Sequence, residues 1–284
     1  MKRPKTVEET AVILCGGRGR RLGSQSERLP KPLARVHGKP ILWYILLSLH
    51  QAGFRHFVLP LGYRGGEFRK FFASELAGFD ARVELIETGE ATPIGRRLSL
   101  ARHAITSADF LLVNGDTLFD FDVAALIAAH KSSGAELTLT SCRVTSQYGL
   151  LLIDGKGRLR DFVSDAPVTK FVVDGCEGMS GLVNAGIAVL ARHTLDKPGV
   201  ANAPEFEQHL YRRIIVGGGA RHNTISGFWH AIDTAKDLEI ANSLSQRDPR
   251  ARGTRLLAKK LTAYARKLGV VRPQRSARRC HRPQ

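Results

Sequence analysis

The residues best suited to chemistry fall into three clusters. The first is Gly16-Gly17-Arg18-Gly19-Arg20-Arg21-Leu22-Gly23, followed by Lys31 between Pro30 and Pro32. A glycine turn lets backbone N–H groups face phosphate oxygens, and the arginines and lysine concentrate positive charge on something polyanionic. The second is Asn114-Gly115-Asp116, with Asp120 and Asp122 close behind. A carboxylate there suits magnesium, which takes one or two carboxylates and fills its other positions with water and substrate phosphate. The third is Asp233, in the segment SGFWHAIDTAKD. Each cluster also has a plainer reading: a tight turn with a solvated basic face for the loop, and helix N-caps for the two aspartates.

Two familiar nucleotide loops do not fit. The dinucleotide fingerprint needs a third glycine where this chain has Leu22, and an acid about 20 residues on for a ribose hydroxyl. No Asp or Glu occurs from Arg28 to Gln51. A P-loop would close with Gly-Lys-Ser/Thr, which is absent. An oxidoreductase with a dinucleotide site is therefore disfavoured. The ten histidines show no metal-ligand spacing, no GxSxG elbow occurs, and Cys15 reads as a small buried side chain.

The elements that must hold these clusters alternate. Ala11–Leu14 reads as a buried strand opening into the glycine loop, and Pro40 to Leu49 as a helix stopped by Gly53. His56–Tyr63 reads as strand, Phe68–Leu76 as helix, Arg82–Ile86 as strand, Ile94–Ala104 as helix and Asp109–Val113 as strand. Such alternation predicts βαβ crossovers, a mostly parallel sheet covered on both faces, and ligands beyond the carboxyl ends of the strands. The second half is more β-rich, with strands at Leu137–Val144, Gly149–Ile153, Leu159–Val163 and Val183–Leu190. The stretch from Pro167 to Asn184 reads as a loop or flap. Thr254–Leu268 returns to helix, with Leu257, Leu261, Tyr264 and Leu268 on one face.

Composition sets the class. The 284 residues are 43% hydrophobic and 24% charged, as in an ordinary globular chain. The longest apolar run, Ile41–Leu49, is about half of the roughly 18–20 residues a membrane span needs. The N-terminal residues have no apolar core of a signal segment, and the four cysteines show no disulfide framework or metal spacing, so the expected location is cytoplasmic. The net charge of +17 is mostly in the tail. Residues 247–284 hold thirteen Lys and Arg against one acid, while residues 1–246 hold thirty against twenty-five. The expected division is a main domain over 1–246 and a basic C-terminal helix with a disordered tail over 247–284. The tail reads as a solvated appendage, with its helix packed on the core as the alternative, able to meet an acidic partner or a membrane surface, with no specific nucleic acid expected. A chain cut after Asn242 is expected to keep its activity.

Taken in order, GGRGRRL with LPKPL, NGDTLFDFD, Asn184-Ala185-Gly186 and GFWHAIDT resemble the sugar-1-phosphate nucleotidyltransferase family from the first strand to about Asn242. KPILWYI, GYRGGEFRKFF and ETGEATPIGRRL look most like its glucose-1-phosphate cytidylyltransferase branch, and LVNGDTLFDFD also resembles heptose- and mannose-1-phosphate guanylyltransferases. The resemblance implies a Rossmann-like three-layer α/β fold of the nucleotide-diphospho-sugar transferase type. The implied reaction joins a nucleoside triphosphate to a sugar 1-phosphate with magnesium and releases pyrophosphate, with CTP favoured slightly over GTP. Carried over by residue, Gly16, Gly17 and Gly19 would cradle the nucleotide, Arg21 and Lys31 would act on the triphosphate, and Asp116 and Asp233 would hold magnesium. Gly95 and Arg97 would lie near the base, and Asn184, Gly186 and Glu207 on the sugar side. Homo-oligomerisation is implied in the same way.

The chain departs from the family at two places. Arg20 stands where the family has threonine, and Ser164-Asp165-Ala166-Pro167 stands where the family has Glu-Lys-Pro, whose lysine contacts the sugar phosphate. Lys170 is the candidate replacement. The alternative reading drawn from these departures is a degenerate relative that binds a sugar nucleotide and regulates or scaffolds without turnover.

Overall fold

The first strand, β1 (Thr10–Leu14), has partners on both sides and side chains buried in both directions. Ala11 and Ile13 enter one core cluster and Val12 the other, so the sheet is sandwiched between two apolar layers. A computed structural model of the chain describes residues 6–17, 19–22, 29–146, 150–163, 167–168, 179 and 181–270.

The elements follow the expected alternation. After β1 come α1 (Ile41–Gln51), β2 (His56–Leu61), α2 (Gly65–Glu75), β3 (Arg82–Glu87), α3 (Ile94–Ala101) and β4 (Asp109–Asn114). Then follow β5 (Thr117–Asp120), α4 (Val123–Ser133), β6 (Leu137–Cys142), β7 (Leu150–Ile153), β8 (Leu159–Val163) and β9 (Val183–Ala191). The chain continues through α5 (Phe206–Val216), β10 (Ala220–Thr224), β11 (Phe228–Ala231), α6 (Ala235–Asn242) and α7 (Pro249–Lys267). Most of the Pro167–Asn184 stretch lies outside the described residues.

The central sheet has seven strands in the order β10-β6-β9-β4-β1-β2-β3. All neighbours pair in parallel except β9, which runs antiparallel to both β4 and β6. This is the expected three-layer α/β fold. Continuous apolar strands such as Phe110-Leu111-Leu112-Val113 fit a sheet buried on both faces. α1, α4 and α7 pack on one face, and α3 and α5 on the other.

Four two-stranded pairings stand apart from the sheet among the described residues, two of them with strands of four or five residues. β7 and β8 form an antiparallel hairpin. β5 and β11 form an antiparallel arm, with Thr117 opposite Ala231 and Asp120 opposite Phe228.

α7 differs from the sequence expectation. It begins at Pro249, five residues before the anticipated start, and Asp248 caps it by accepting from the Arg250 N–H. Leu257, Leu261 and Ala265 are buried in the same core cluster as β1, and Tyr264 donates or accepts at 2.7 Å with His50 of α1. Each buried leucine contributes roughly 1.5–3 kcal/mol. The helix is therefore packed on the core along one side. Among the described residues no helix is long and apolar enough to cross a membrane.

Candidate functional site

The glycine loop leaves the C-terminal end of β1, and Asn114-Gly115-Asp116 leaves the end of its neighbour β4. Adjacent parallel strands thus deliver two of the three clusters to one edge of the sheet. Gly115 makes this contact close: a Cβ there would lie 2.3 Å from the Leu14 carbonyl oxygen and 2.9 Å from Pro32. Any larger residue would push the turn away from Lys31-Pro32.

The third cluster arrives by the β5–β11 arm. The Ile232 N–H donates to the Asp116 carbonyl at 2.9 Å, extending the ladder one step and placing Asp233 beside Asp116. Asp233 does not cap α6. Thr234 is the N-cap, and Asp237 completes a capping box, accepting from the Thr234 N–H and hydroxyl at 2.8 Å. Nor is Asp116 a cap, since Asp122 caps α4. Both plainer readings of the aspartates fail, and both carboxylates are left for other work.

That work centres on Lys31. Its ammonium group donates to Asp116 Oδ2 at 2.5 Å and Asp233 Oδ1 at 2.8 Å, and only 11% of the side chain is exposed. Arg21 adds a second cation, with Nη2 3.3 Å from Asp233 Oδ1. The Lys31 stem fills the space beside Gly19, where φ is +65° and a Cβ would lie 2.7 Å from Lys31 Cβ. Two carboxylate oxygens converging on one cationic centre form an all-oxygen, anionic donor set, which fits magnesium. Among the described residues no group of three His, Cys, Asp or Glu side chains gathers as a closed metal cage. Two carboxylates leave room for phosphate and water.

Arg97 has a different place from the expected one. It is 5% exposed, and its guanidinium donates to Leu61 O at 3.1 Å, Thr88 Oγ1 at 2.6 Å, Gly16 O at 3.2 Å and Glu90 O at 2.9 Å. Its donors are spent on the protein, so Arg97 ties the glycine loop to β2 and the 88–90 segment instead of facing a base. Gly95 is also turned inward: a Cβ would meet the Val200 carbonyl at 2.1 Å, because the first turn of α3 lies under the turn at Val200–Asn202.

On the β9 side, the register shifts between Asn184 and Ala188, and Gly186 adopts φ +68°. A Cβ on Gly186 would lie 2.5 Å from Asn114 Nδ2, so the bulge carrying Asn184 and Gly186 backs onto the Asn114-Gly115-Asp116 turn. Glu207 stands elsewhere. It lies exposed in the first turn of α5 after Phe206, which packs toward Gly95. Gly17 is exposed, with open space around it. Lys170 and Arg18 lie outside the described residues.

Sequence reasoning missed a cleft of about 700 Å³ that opens at Asp233. Arg143, Ser226, Trp229, His230 and Arg250 line it. Trp229 is fixed by donating from Nε1 to the Ala185 carbonyl at 2.9 Å. Only the aromatic pair in GFW hinted at such a wall. Cys15 is fully buried, with its thiol pushed up out of reach of ionisation, and burial takes Cys142 up to about 12.

A doubly covered parallel sheet, a glycine loop at a strand end, and a lysine–carboxylate cluster beside it define an α/β enzyme that handles nucleoside triphosphates. The chain belongs to the family described as MobA-like NTP transferase domain, matched over residues 11–166. It is a nucleotidyltransferase. A Bacillus subtilis protein named "Probable glucose-1-phosphate cytidylyltransferase" is 30% identical over 253 residues, covering 82% of this chain and 95% of the relative. The glucose-1-phosphate cytidylyltransferase of Salmonella typhi is 29% identical over 248 residues, covering 80% and 92%. The catalytic subunit beta of mannose-1-phosphate guanylyltransferase from Drosophila melanogaster is 31% identical over 234 residues, covering 80% of this chain and 60% of the relative. In fold the chain is similar to the crystal structure of HddC from Yersinia pseudotuberculosis, at a TM-score of 0.61 and 24% identity, covering 82% of this chain and 97% of that one.

Proposed function

We propose that this protein joins a nucleoside triphosphate to a sugar 1-phosphate, releasing pyrophosphate and a nucleotide sugar, with CTP preferred over GTP. The observation that carries this reading is the Lys31 ammonium held between Asp116 and Asp233 at the mouth of the glycine loop. Exposed ion pairs add about 0–1 kcal/mol to stability and buried ones are offset by desolvation, so the cluster has little value to the fold alone. Its value lies in meeting a polyanion. Two relatives named cytidylyltransferases align over nearly their whole length, which supports a sugar-phosphate acceptor and CTP.

The chemistry needs little from the protein beyond placement. A phosphate monoester loses its second proton near pH 6, so at neutral pH the acceptor is already nucleophilic and no general base is required. One acceptor oxygen forms a bond to the α-phosphorus. The bond from that phosphorus to the bridging oxygen breaks, and pyrophosphate leaves with the electron pair. Lys31 and Arg21 meet the negative charge that gathers on the triphosphate and leaving group. Gly16, Gly17 and Gly19 allow the backbone to approach the nucleotide. Asn184 and Gly186 face the acceptor side, with Glu207 and Lys170 assigned there by resemblance alone. Asp116 and Asp233 would hold magnesium, which when bound supplies charge neutralisation on phosphate oxygens.

The test is pyrophosphate release with magnesium, screening CTP, GTP, UTP, dTTP and ATP against a panel of sugar 1-phosphates. Turnover with CTP and one sugar, lost in Asp116→Ala, is the expected result. A folded protein that binds a nucleotide yet releases no pyrophosphate with any pair would replace this reading with a binding-only relative.

A further inference from the structure

The sequence carries an unusual excess of positive charge, and α7 shows how it is presented. At 100° per residue, Arg252, Lys259, Lys260, Arg266 and Lys267 fall within an arc of about 120° on one side of the helix. All five are exposed. The opposite side, with Leu257, Leu261 and Ala265, is spent on the core. No Asp or Glu occurs in the helix. Lys260 is paired with Asp120 at 2.6 Å, whereas Arg252, Lys259, Arg266 and Lys267 have no ion-pair partner among the described residues. These four cations run from one end of the ridge to the other, about 22 Å at 1.5 Å per residue. In sequence, residues 271–284 add five more arginines and no acid.

We propose that this ridge docks the protein on the surface of an anionic lipid bilayer. A row of unneutralised cations without intervening acid is complementary to a plane of negative headgroups, where each Lys or Arg gains attraction within a Debye length. The helix adsorbs and does not insert, because its apolar face is already buried. Leu256, 62% exposed amid the cations, is the one large apolar side chain on the outward arc. A plane fits better than a nucleic acid for two reasons. The helix is half sunk against α1, α6 and β11, so it does not project as a groove-reading helix must. Its outward arc also carries no aromatic ring on which an unpaired base would stack.

The experiment is sedimentation of the full chain with vesicles of phosphatidylcholine alone or with about one third phosphatidylserine. The protein is expected to bind the acidic vesicles at low salt, to ignore the neutral ones, and to be released at about 0.5 M salt. Replacing Arg252, Lys259, Arg266 and Lys267 together by Gln is expected to weaken partition about a hundredfold or more, at about fivefold per cation. Since all four are exposed, the melting temperature should stay within about 2 °C. The charge-keeping pair Arg252→Lys with Arg266→Lys is expected to bind as the parent does. Failure to bind acidic vesicles, or equal binding by the four-site Gln variant, would overturn the proposal. So would release of the parent by RNA at equal phosphate concentration, which would make the ridge a nucleic-acid surface.

Discussion

The guanidinium of Arg97 fills the space that a Cβ on Gly16 would occupy, with Cζ only 2.3 Å from that position. Gly62, just past the end of β2, faces the same group, and a Cβ there would lie 2.5 Å from Nη1. Two glycines and one arginine therefore form a unit: the backbone is bare so that a buried cation can bridge it. Burial lowers the pKa of Arg97, but a guanidinium stays charged throughout the working range.

Arg97→Met is expected to take a donor from the Gly16, Leu61 and Glu90 carbonyls, of which Leu61 keeps the Thr88 N–H and hydroxyl and Gly16 the Tyr63 N–H, and to cost about 1–3 kcal/mol. On the proposed role of the glycine loop in holding the nucleotide, KM for the triphosphate should rise with KM for the sugar phosphate little changed. Thermal unfolding and steady-state kinetics with each substrate varied in turn check both halves. Gly16→Ala should mimic the kinetic effect by displacing the same guanidinium.

Asp233→Asn is expected to lower kcat by about a hundred- to a thousandfold, the scale for losing one electrostatic contact to the transition state. The substitution is nearly isosteric, and the Thr234–Asp237 box that starts α6 does not use the Asp233 carboxylate. Circular dichroism should therefore stay unchanged while pyrophosphate release falls.

Lys31→Met should also suppress turnover about a hundredfold or more. It differs from the aspartate change in the substrate-free protein, where it leaves Asp116 and Asp233 facing each other with only Arg21, beside Asp233, to offset their charge. Removing one partner of a partly buried charge cluster should lower stability at neutral pH, a change read by denaturant titration beside the parent.

His230 sets an acid limit on stability. It is 4% exposed, and neither ring nitrogen has a partner among the described residues. Burial takes it down to about 4, with Arg250 lowering it further and Asp237 and Asp248 opposing. The unfolded chain binds a proton near pH 6.5 and the folded protein does not until about pH 4, so stability falls as pH falls through that window. The full effect is roughly 3 kcal/mol. His50 and His130 are lowered by burial as well and add to the same slope. His230→Gln should flatten the profile between pH 6.5 and 4, measured by urea midpoints across the range.

Leu261→Ala in α7 is expected to cost 2–5 kcal/mol through the cavity it opens. The same substitution at the exposed Leu256 should change stability by less than about 0.5 kcal/mol. Comparison of their melting temperatures checks that α7 is core on one side only.

Local signals carried most of the first half. The run before Gly16 could only be a buried strand, Pro40 opened α1, and Asp116 was marked by the Asn-Gly turn ending an apolar strand. What was hidden depended on contacts far apart in sequence. Asp116 and Asp233 meet only because β5 and β11 pair, and neither four-residue strand announces its partner. Arg97 carried the chemistry of a ligand contact, and only burial shows that its donors turn inward. The charge of the tail helix points to solvent, while its stripe of Leu257 and Leu261 needs the α1 surface to define an inside.

The span between Lys31 and Asp233 also sets a timetable. These two residues are 202 positions apart, whereas Lys31 and Asp116 are 85 apart. A chain emerging from the ribosome can form β1, β4 and the glycine loop well before the second carboxylate is made, and the supporting helix α7 comes later still. A partly made chain thus holds the lysine against one aspartate only. On the roles proposed for Lys31, Asp116 and Asp233, a chain made only as far as β9 carries the loop without its second carboxylate.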